Sequence, residues 1–123
     1  MNFKTEGPEQ VGDRGVIHPG HPPIVESFLI AQGAKLHAGT LMKKSGSTGA
    51  VPTADQADFV LVQDVDTTDE AKVARCLCHG MVVKDRLIDA SGANPVKASD
   101  TMIALLSARG IYVFQAFDYS VMA

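Results

Sequence analysis

The sequence predicts a mainly β domain with one helix, a minor α+β character, and an extended N-terminal arm. Short β-prone runs separated by Gly/Ser turns occupy residues 28–83, and one stretch near residue 100 has helical spacing. The first 27 residues instead hold four of the six prolines. A chain of 123 residues supports one core, so we expect an arm at 1–27 and one domain at 28–123.

The predicted strands follow the β-branched and apolar runs. They are residues 28–31, 35–37, 40–44, 59–63 and 72–83. The segment Ser45-Gly46-Ser47-Thr48-Gly49 carries the residues of a tight turn and indicates a hairpin. Gly80 interrupts the longest run, whose length otherwise favours a single extended strand.

One helix is expected after residue 98. Ser99 or Asp100 can cap its start, and Arg109-Gly110 supplies a basic last turn followed by a glycine. Its apolar stripe consists of Met102, Ile103, Leu105 and Leu106. Beyond it, residues 111–114 together with Phe117 and Tyr119 predict a terminal, aromatic-rich strand.

The predicted arm is rich in proline and glycine, which disfavour both ladder hydrogen bonding and ordering. An unimportant tail is one interpretation. Apolar pairs flank the prolines, however, and such pairs are unusual in a purely solvating tail. We therefore expect a flexible arm that binds a partner. The candidate contact residues are Val16, Ile17, Pro19, Pro22, Pro23, Ile24 and Val25.

Charge and cysteine usage exclude several classes of function. The net charge is −3 with no basic run longer than Lys43-Lys44, which argues against nucleic-acid binding. No apolar stretch has the length of a membrane span, and the start does not resemble a signal peptide, so a soluble, unexported chain is expected. In a strand the Cα atoms of Cys76 and Cys78 lie about 7 Å apart, at or beyond the upper limit of disulfide geometry, so we expect no bridge between them, which fits a reducing compartment.

The sequence also lacks a complete metal-binding or catalytic motif. The acidic run Asp64-x-Asp66-x-Thr68 lacks the glycine and glutamate of a calcium loop, so local turn bonds are the better interpretation. Cys76-Leu77-Cys78-His79 resembles half a zinc site, but a closed site needs four ligands. No nucleophile or phosphate-binding motif is present. We expect no enzyme activity, no cofactor, no metal and structural cysteines.

Three blocks in the chain carry a resemblance to a known family. In order they are AGTLM at 38–42, VLVQDVDTT at 60–68 and LLSARGIY at 105–112. Their order and spacing resemble the lambda-type head decoration proteins of tailed bacteriophages, also called capsid cement proteins. The first 27 residues match no motif of that family, although their composition fits the family's N-terminal arm.

The resemblance implies a small β-rich fold of the β-tulip type that assembles as trimers. It also implies binding to the major capsid protein lattice, at three-fold and quasi three-fold positions outside the expanded head, where the protein stabilises the shell. The arm would order against that shell. The expected location is the outer surface of the virion, after synthesis in the host cytoplasm, with neither nucleic acid nor membrane as a partner.

Two alternatives come from other classes of protein. Small β-domains that carry biotin or lipoate present a lysine at a hairpin tip, and Lys43 or Lys44 beside the glycine-rich turn is reminiscent of that arrangement. Another virion structural protein on a similar fold, such as a head fibre base or an auxiliary tail protein, is the second alternative.

Overall fold

Five strands close into a β-barrel in the computed structural model, which describes residues 15–115. The strands are β1 (Ile24–Ile30), β2 (Lys35–Leu36), β3 (Leu41–Ser45), β4 (Gly49–Pro52), β5 (Phe59–Leu61), β6 (Val65–Asp66), β7 (Lys72–Val83), β8 (Ile88–Asp89), β9 (Val96–Lys97) and β10 (Ile111–Phe114). A 3₁₀ turn (Lys84–Arg86) and one helix, α1 (Asp100–Ser107), complete the described elements. The predicted class, mainly β with one helix, is confirmed.

The barrel runs in the order β1-β4-β3-β5-β7 and closes by antiparallel pairing of β7 with β1. Only the β1–β4 pair within it is parallel. Each barrel strand sends apolar side chains into a shared interior, which we call the barrel core. Its buried members are Phe28, Ile30, Leu36, Met42, Ala50, Leu61, Val65, Ala74 and Cys76.

A second layer packs on the outside of the barrel wall. It consists of the segment before β1, the distal end of β7, helix α1 and β10. Between this layer and the wall lies a second cluster, the outer core. Its buried members are Val16, Ala38, Leu41, Ala57, Val60, Val62, Leu77, Val82, Leu87, Met102, Leu106 and Ile111.

Strand β7 belongs to both layers and changes partner at Gly80. Residues 72–79 pair with β1, whereas Gly80–Val83 pair in parallel with β10. Gly80 has a φ of +143°, and a Cβ there would lie 3.1 Å from the Cα of Pro23. Glycine is needed at this position because a side chain would meet both a strained backbone conformation and the neighbouring segment.

Helix α1 begins as predicted and ends slightly earlier. Ser99 is the N-cap, since its side chain accepts a hydrogen bond of 3.3 Å from the Met102 backbone N–H. Met102 and Leu106 are buried, whereas Leu105 is exposed on the helix flank. The helix ends at Ser107, and the backbone then turns through Gly110, whose φ is +80°.

The hairpin and the strand at 72–83 are confirmed, while several short pairings were not anticipated. Strands β3 and β4 flank a turn at residues 46–48. Strands β4, β6, β8 and β9 have no counterpart among the predicted strands. Three of these are only two residues long. Such strands exist because tertiary neighbours pair with them, so no local periodicity marks them. The predicted aromatics Phe117 and Tyr119 lie outside the described residues.

The predicted boundary at residue 27 is wrong. Ile24 already begins β1, and its strand pairs with β7 along the whole length of β1. Upstream, Val16 is buried in the outer core, and Ile17 forms an antiparallel bridge with Val82. Apolar burial and two backbone hydrogen bonds to β7 outweigh the turn-forming composition of residues 15–27, so this part is integral to the domain. Residues 1–14 of the predicted arm lie outside the described range.

Replacing Val16 by alanine should test whether this segment stabilises the domain. Val16 is 1% exposed, so its truncation leaves a cavity and should lower the free energy of unfolding by about 1–3 kcal/mol. Val96→Ala is the matched control, because Val96 is 57% exposed and should cost within about 0.5 kcal/mol. Urea unfolding of both variants measures the difference, and equal stabilities would show that the segment is dispensable.

Candidate functional site

The seven candidate contact residues divide into buried and exposed groups. Val16 lies in the outer core, and Ile17 and Val25 are partly buried against it. Three prolines and Ile24 are exposed to solvent: Pro19, Pro22, Pro23 and Ile24. Only this second group is accessible to a partner in the present fold.

Beside the exposed prolines lies a surface formed by three separate parts of the chain. We call it the histidine–aromatic face and define it as His18, His21, His79, Tyr112 and Phe114. The His18 ring stacks on Phe114 with 4.1 Å between ring centroids. The His21 and His79 rings both approach Tyr112 edge-on, at centroid distances of 5.4 and 6.2 Å. These contacts tie the segment before β1 to β7 and β10.

The face arises from the alternation of side chains along β10. Ile111 and Val113 point toward the outer core, whereas Tyr112 and Phe114 point outward and remain 43% and 38% exposed. On the other side, backbone hydrogen bonds of 2.8 Å hold the segment against β7, from His18 N–H to the Met81 carbonyl and from Val83 N–H to the Val16 carbonyl. The result is an exposed aromatic surface on a backbone fixed from both sides.

A second feature is a cleft of about 370 Å³ between the barrel and the end of α1. Asp58, whose side chain is only 8% exposed, lies in its wall and forms an ion pair with Arg109 at 2.9 Å, between Oδ1 and Nη2. Its Oδ2 accepts hydrogen bonds from the Lys44 backbone N–H and the Gln56 amide. Among the described residues, Oδ1 accepts no hydrogen bond and is held by the ion pair alone. The pair therefore links the residue before β5 to the turn that follows α1.

Removing the positive partner should destabilise the fold. Arg109→Gln leaves a buried carboxylate without its counter-ion and should cost about 1–3 kcal/mol, toward the lower end because the guanidinium side is half exposed to water. Arg86→Gln, at an exposed arginine, is the control. In the double variant Asp58→Asn/Arg109→Gln, the loss should be smaller than the sum of the single losses. Additive losses in thermal unfolding would show that the pair is not coupled.

The two cysteines lie on β7 and have unreactive thiols. Cys76 faces the barrel core, and burial, followed by the nearby Cys78, raises the pKa of its thiol to about 12. Burial, followed by the charge of Glu26, raises the pKa of the Cys78 thiol to about 11. With these raised pKa values both thiols are protonated at neutral pH. Since the thiolate is the nucleophile, this agrees with a structural role.

Thiol alkylation checks this interpretation. At pH 8 the native chain should react with iodoacetamide far more slowly than the chain unfolded in guanidinium. For Cys78 the rate should fall by about 100-fold, since its pKa lies about two units above the ordinary value of 9.0. Raising the pH toward 11 should speed the native reaction, because the thiolate form then accumulates. Native Cys78 labelled at the unfolded rate at pH 8, measured by mass spectrometry, would contradict the assignment.

The acidic residues of the rejected calcium motif serve local structure. Asp66 Oδ1 accepts hydrogen bonds from Thr68 N–H and Oγ1 at 3.0 and 2.6 Å, as expected for a turn, and the side-chain bond lowers the pKa of Asp66. Asp64 accepts from the Ala38 N–H at 2.9 Å. Within residues 15–115, no group of three or more His, Cys, Asp or Glu side chains is placed to hold a metal ion.

Sequence reasoning missed both side-chain pairs that stand out in the structure. His21 and His79 are 58 positions apart, and their ring nitrogens meet only because β7 pairs with the start of β1. Asp58 and Arg109 meet because the end of α1 packs near the β5 entry. No spacing rule links such positions, so only the topology could reveal them.

Comparison of the chain with protein-family models and with curated protein sequences found no match. In the described part of the chain, no helix is long and apolar enough to cross a bilayer.

Proposed function

We propose that the chain is a capsid decoration protein that binds the outside of an expanded tailed-phage head as a homotrimer and stabilises the shell. Its partners are the major capsid protein lattice and two further copies of itself, and it acts by contact rather than by catalysis. It is made in the host cytoplasm and resides on the virion surface. The support comes from the arrangement of the three sequence blocks and from the exposed surface beside β1.

The observation that carries the proposal is the convergence of the three blocks. Each places two buried side chains in the outer core: Ala38 and Leu41, Val60 and Val62, and Leu106 and Ile111. The first two blocks are also joined by backbone hydrogen bonds, from Gly39 N–H to the Leu61 carbonyl and from Leu61 N–H to the Thr40 carbonyl. Motifs that are not adjacent in sequence thus form one packed unit, which favours a shared fold over a chance match.

The exposed surface supports a contact function. Pro22, Pro23 and Ile24 lie beside the histidine–aromatic face, and Ile24 is 52% exposed. Aromatic and apolar groups held on a rigid backbone lose little conformational entropy on binding. A ligand that binds only the assembled lattice stabilises that lattice by mass action.

Trimeric symmetry would strengthen such a contact. Three copies of the same surface on one trimer engage the shell as tethered sites, so individually weak contacts give firm attachment. A small β domain also buries a limited fraction of its own surface and gains from association. Cyclic symmetry then matches a three-fold position of a capsid.

The placement of the lysines disfavours the carrier alternative. Lys43 and Lys44 pair with Val51 and Ala50 inside the β3–β4 hairpin, whereas the tip is formed by residues 46–48. The Lys43 ammonium lies 3.9 Å from Asp55, and Lys44 borders the Asp58 cleft. A carrier lysine would have to stand at the tip to reach its modifying enzyme. Another virion role on the same fold, such as a head fibre base, predicts binding elsewhere on the particle.

Cosedimentation of the purified chain with expanded phage heads tests the proposal. Deleting residues 1–27 would remove Val16 and part of β1, so surface substitutions are the better probe. Ile24→Thr should weaken head binding while leaving the fold intact, because it replaces an exposed apolar contact. Val73→Thr is the matched control: Val73 is also exposed and β-branched, but it pairs with Leu29, about 16 Å further along β1.

Saturable binding of the unaltered chain, reduced in Ile24→Thr and retained in Val73→Thr, is the expected result. Circular dichroism of both variants establishes that they fold. Absence of binding to any expanded head would refute the proposal, and equal binding by both variants would remove Ile24 from the contact.

A further inference from the structure

Two histidines of the histidine–aromatic face point their ring nitrogens at each other. The Nε2 atoms of His21 and His79 are 2.9 Å apart, and the ring centroids are separated by 4.8 Å. Both rings are partly buried. Because the two Nε2 atoms are much closer to each other than the two ring centroids are, both nitrogens point into the same small region between the rings.

Such convergence is close to the geometry of metal chelation. Imidazole nitrogen is a preferred ligand of Zn²⁺, Ni²⁺ and Cu²⁺. With Zn–N bonds of 2.0–2.1 Å, two nitrogens of a tetrahedral site lie about 3.3 Å apart. The rings would therefore need to separate by only a few tenths of an ångström to admit an ion between them.

The surroundings hold both rings in this orientation. A Cβ at Gly110 would lie 2.5 Å from His79 Nδ1, so the glycine leaves the space that the ring occupies. His79 is the last residue of β7 that pairs with β1, and its partner is Ile24. Tyr112 contacts both imidazoles edge-on and limits their rotation. A preoriented pair loses less freedom on binding than two mobile side chains would lose.

We propose that His21 and His79 form a two-histidine binding site for a divalent transition-metal ion of the zinc class. The two Nε2 atoms supply the protein ligands, and water fills the remaining positions. This proposal departs from the sequence-based expectation of no metal, and it is independent of the proposed capsid role.

Binding requires one proton to move. In the hydrogen-bonded pair, one neutral ring carries its proton on Nε2 and donates it to the other ring. For both Nε2 lone pairs to face a metal, that ring must carry its proton on Nδ1 instead, a change of tautomer that keeps both rings neutral. No proton is lost overall, and the N–H···N bond is exchanged for two metal–nitrogen bonds.

The ion would connect two parts of the chain that are far apart in sequence. His21 belongs to the segment before β1, and His79 to the strand shared by both layers. An ion that binds both in the folded state only must stabilise that state. The packing of the segment on β7, which fixes the exposed prolines and Ile24, would then tighten with metal concentration.

Titration of the full-length chain with ZnCl₂ in an isothermal calorimeter tests the site. We expect one ion per chain and a melting temperature that rises with ZnCl₂ concentration. His21→Ala and His79→Ala should each weaken binding by about tenfold or more, since loss of a ligand exceeds the effect of losing an outer-shell partner. His37→Ala is the control, because His37 is exposed and lies by Asp64 rather than on this face.

Retention of binding in His37→Ala together with its loss in both other variants supports the site. If His79→Ala does not fold, His21→Ala decides alone, because His21 lies in a loop outside any strand. Binding of unaltered strength in His21→Ala, or the absence of saturable binding by the unaltered chain, would overturn the proposal. Head binding by the same variants in metal-free buffer is a separate measurement, so failure here leaves the capsid proposal standing.

Discussion

Both layers of the structure depend on the burial of β7 on its two faces. Cys76 enters the barrel core and the adjacent Leu77 enters the outer core, and neither side chain is exposed. Successive strand residues point to opposite faces, so one strand can carry both cores only if each face is covered. The barrel covers one face, and α1, β10 and the segment before β1 cover the other. Removing either cover would leave an apolar surface in water.

The outer layer follows from the change of pairing partner along that strand. Before Gly80, β7 pairs with β1, and from Gly80 onward it pairs with β10, which runs parallel to it. Parallel neighbours need a crossover connection, and the stretch containing α1 supplies it. The Ser99 cap stabilises the start of that helix, and the Asp58–Arg109 ion pair holds the turn after its end against the barrel. The outward side chains of β10 then complete the histidine–aromatic face, so an exposed surface depends on a backbone feature buried beneath it.

Local chemistry explains which elements the sequence could predict. The Ser99 cap, the Ser45–Gly49 turn and the β-branched run at 72–83 each act within a few residues, and all three were predicted. For residues 15–23, as for the rest of the arm predicted at 1–27, the abundance of prolines and glycines predicts a mobile segment. Its placement depends on Val16 entering a core assembled from residues up to 95 positions away, such as Ile111. The His21–His79 pair is not predictable from the sequence for the same reason, because its nitrogens meet only once the segment before β1 and the start of β1 pack on β7.

The family resemblance and the exposed surface occupy different parts of the molecule. The three blocks place most of their apolar residues in the two cores, with Met42, Leu61 and Val65 in the barrel core, and of the histidine–aromatic face only Tyr112 belongs to a block. A core requirement constrains volume and shape, whereas an exposed face is constrained by its partner. The fold can therefore persist while the surface residues change with the shell or the ion that they bind. For that reason the functional proposals rest on substitutions at His21 and Ile24, where a change alters recognition and leaves both cores intact.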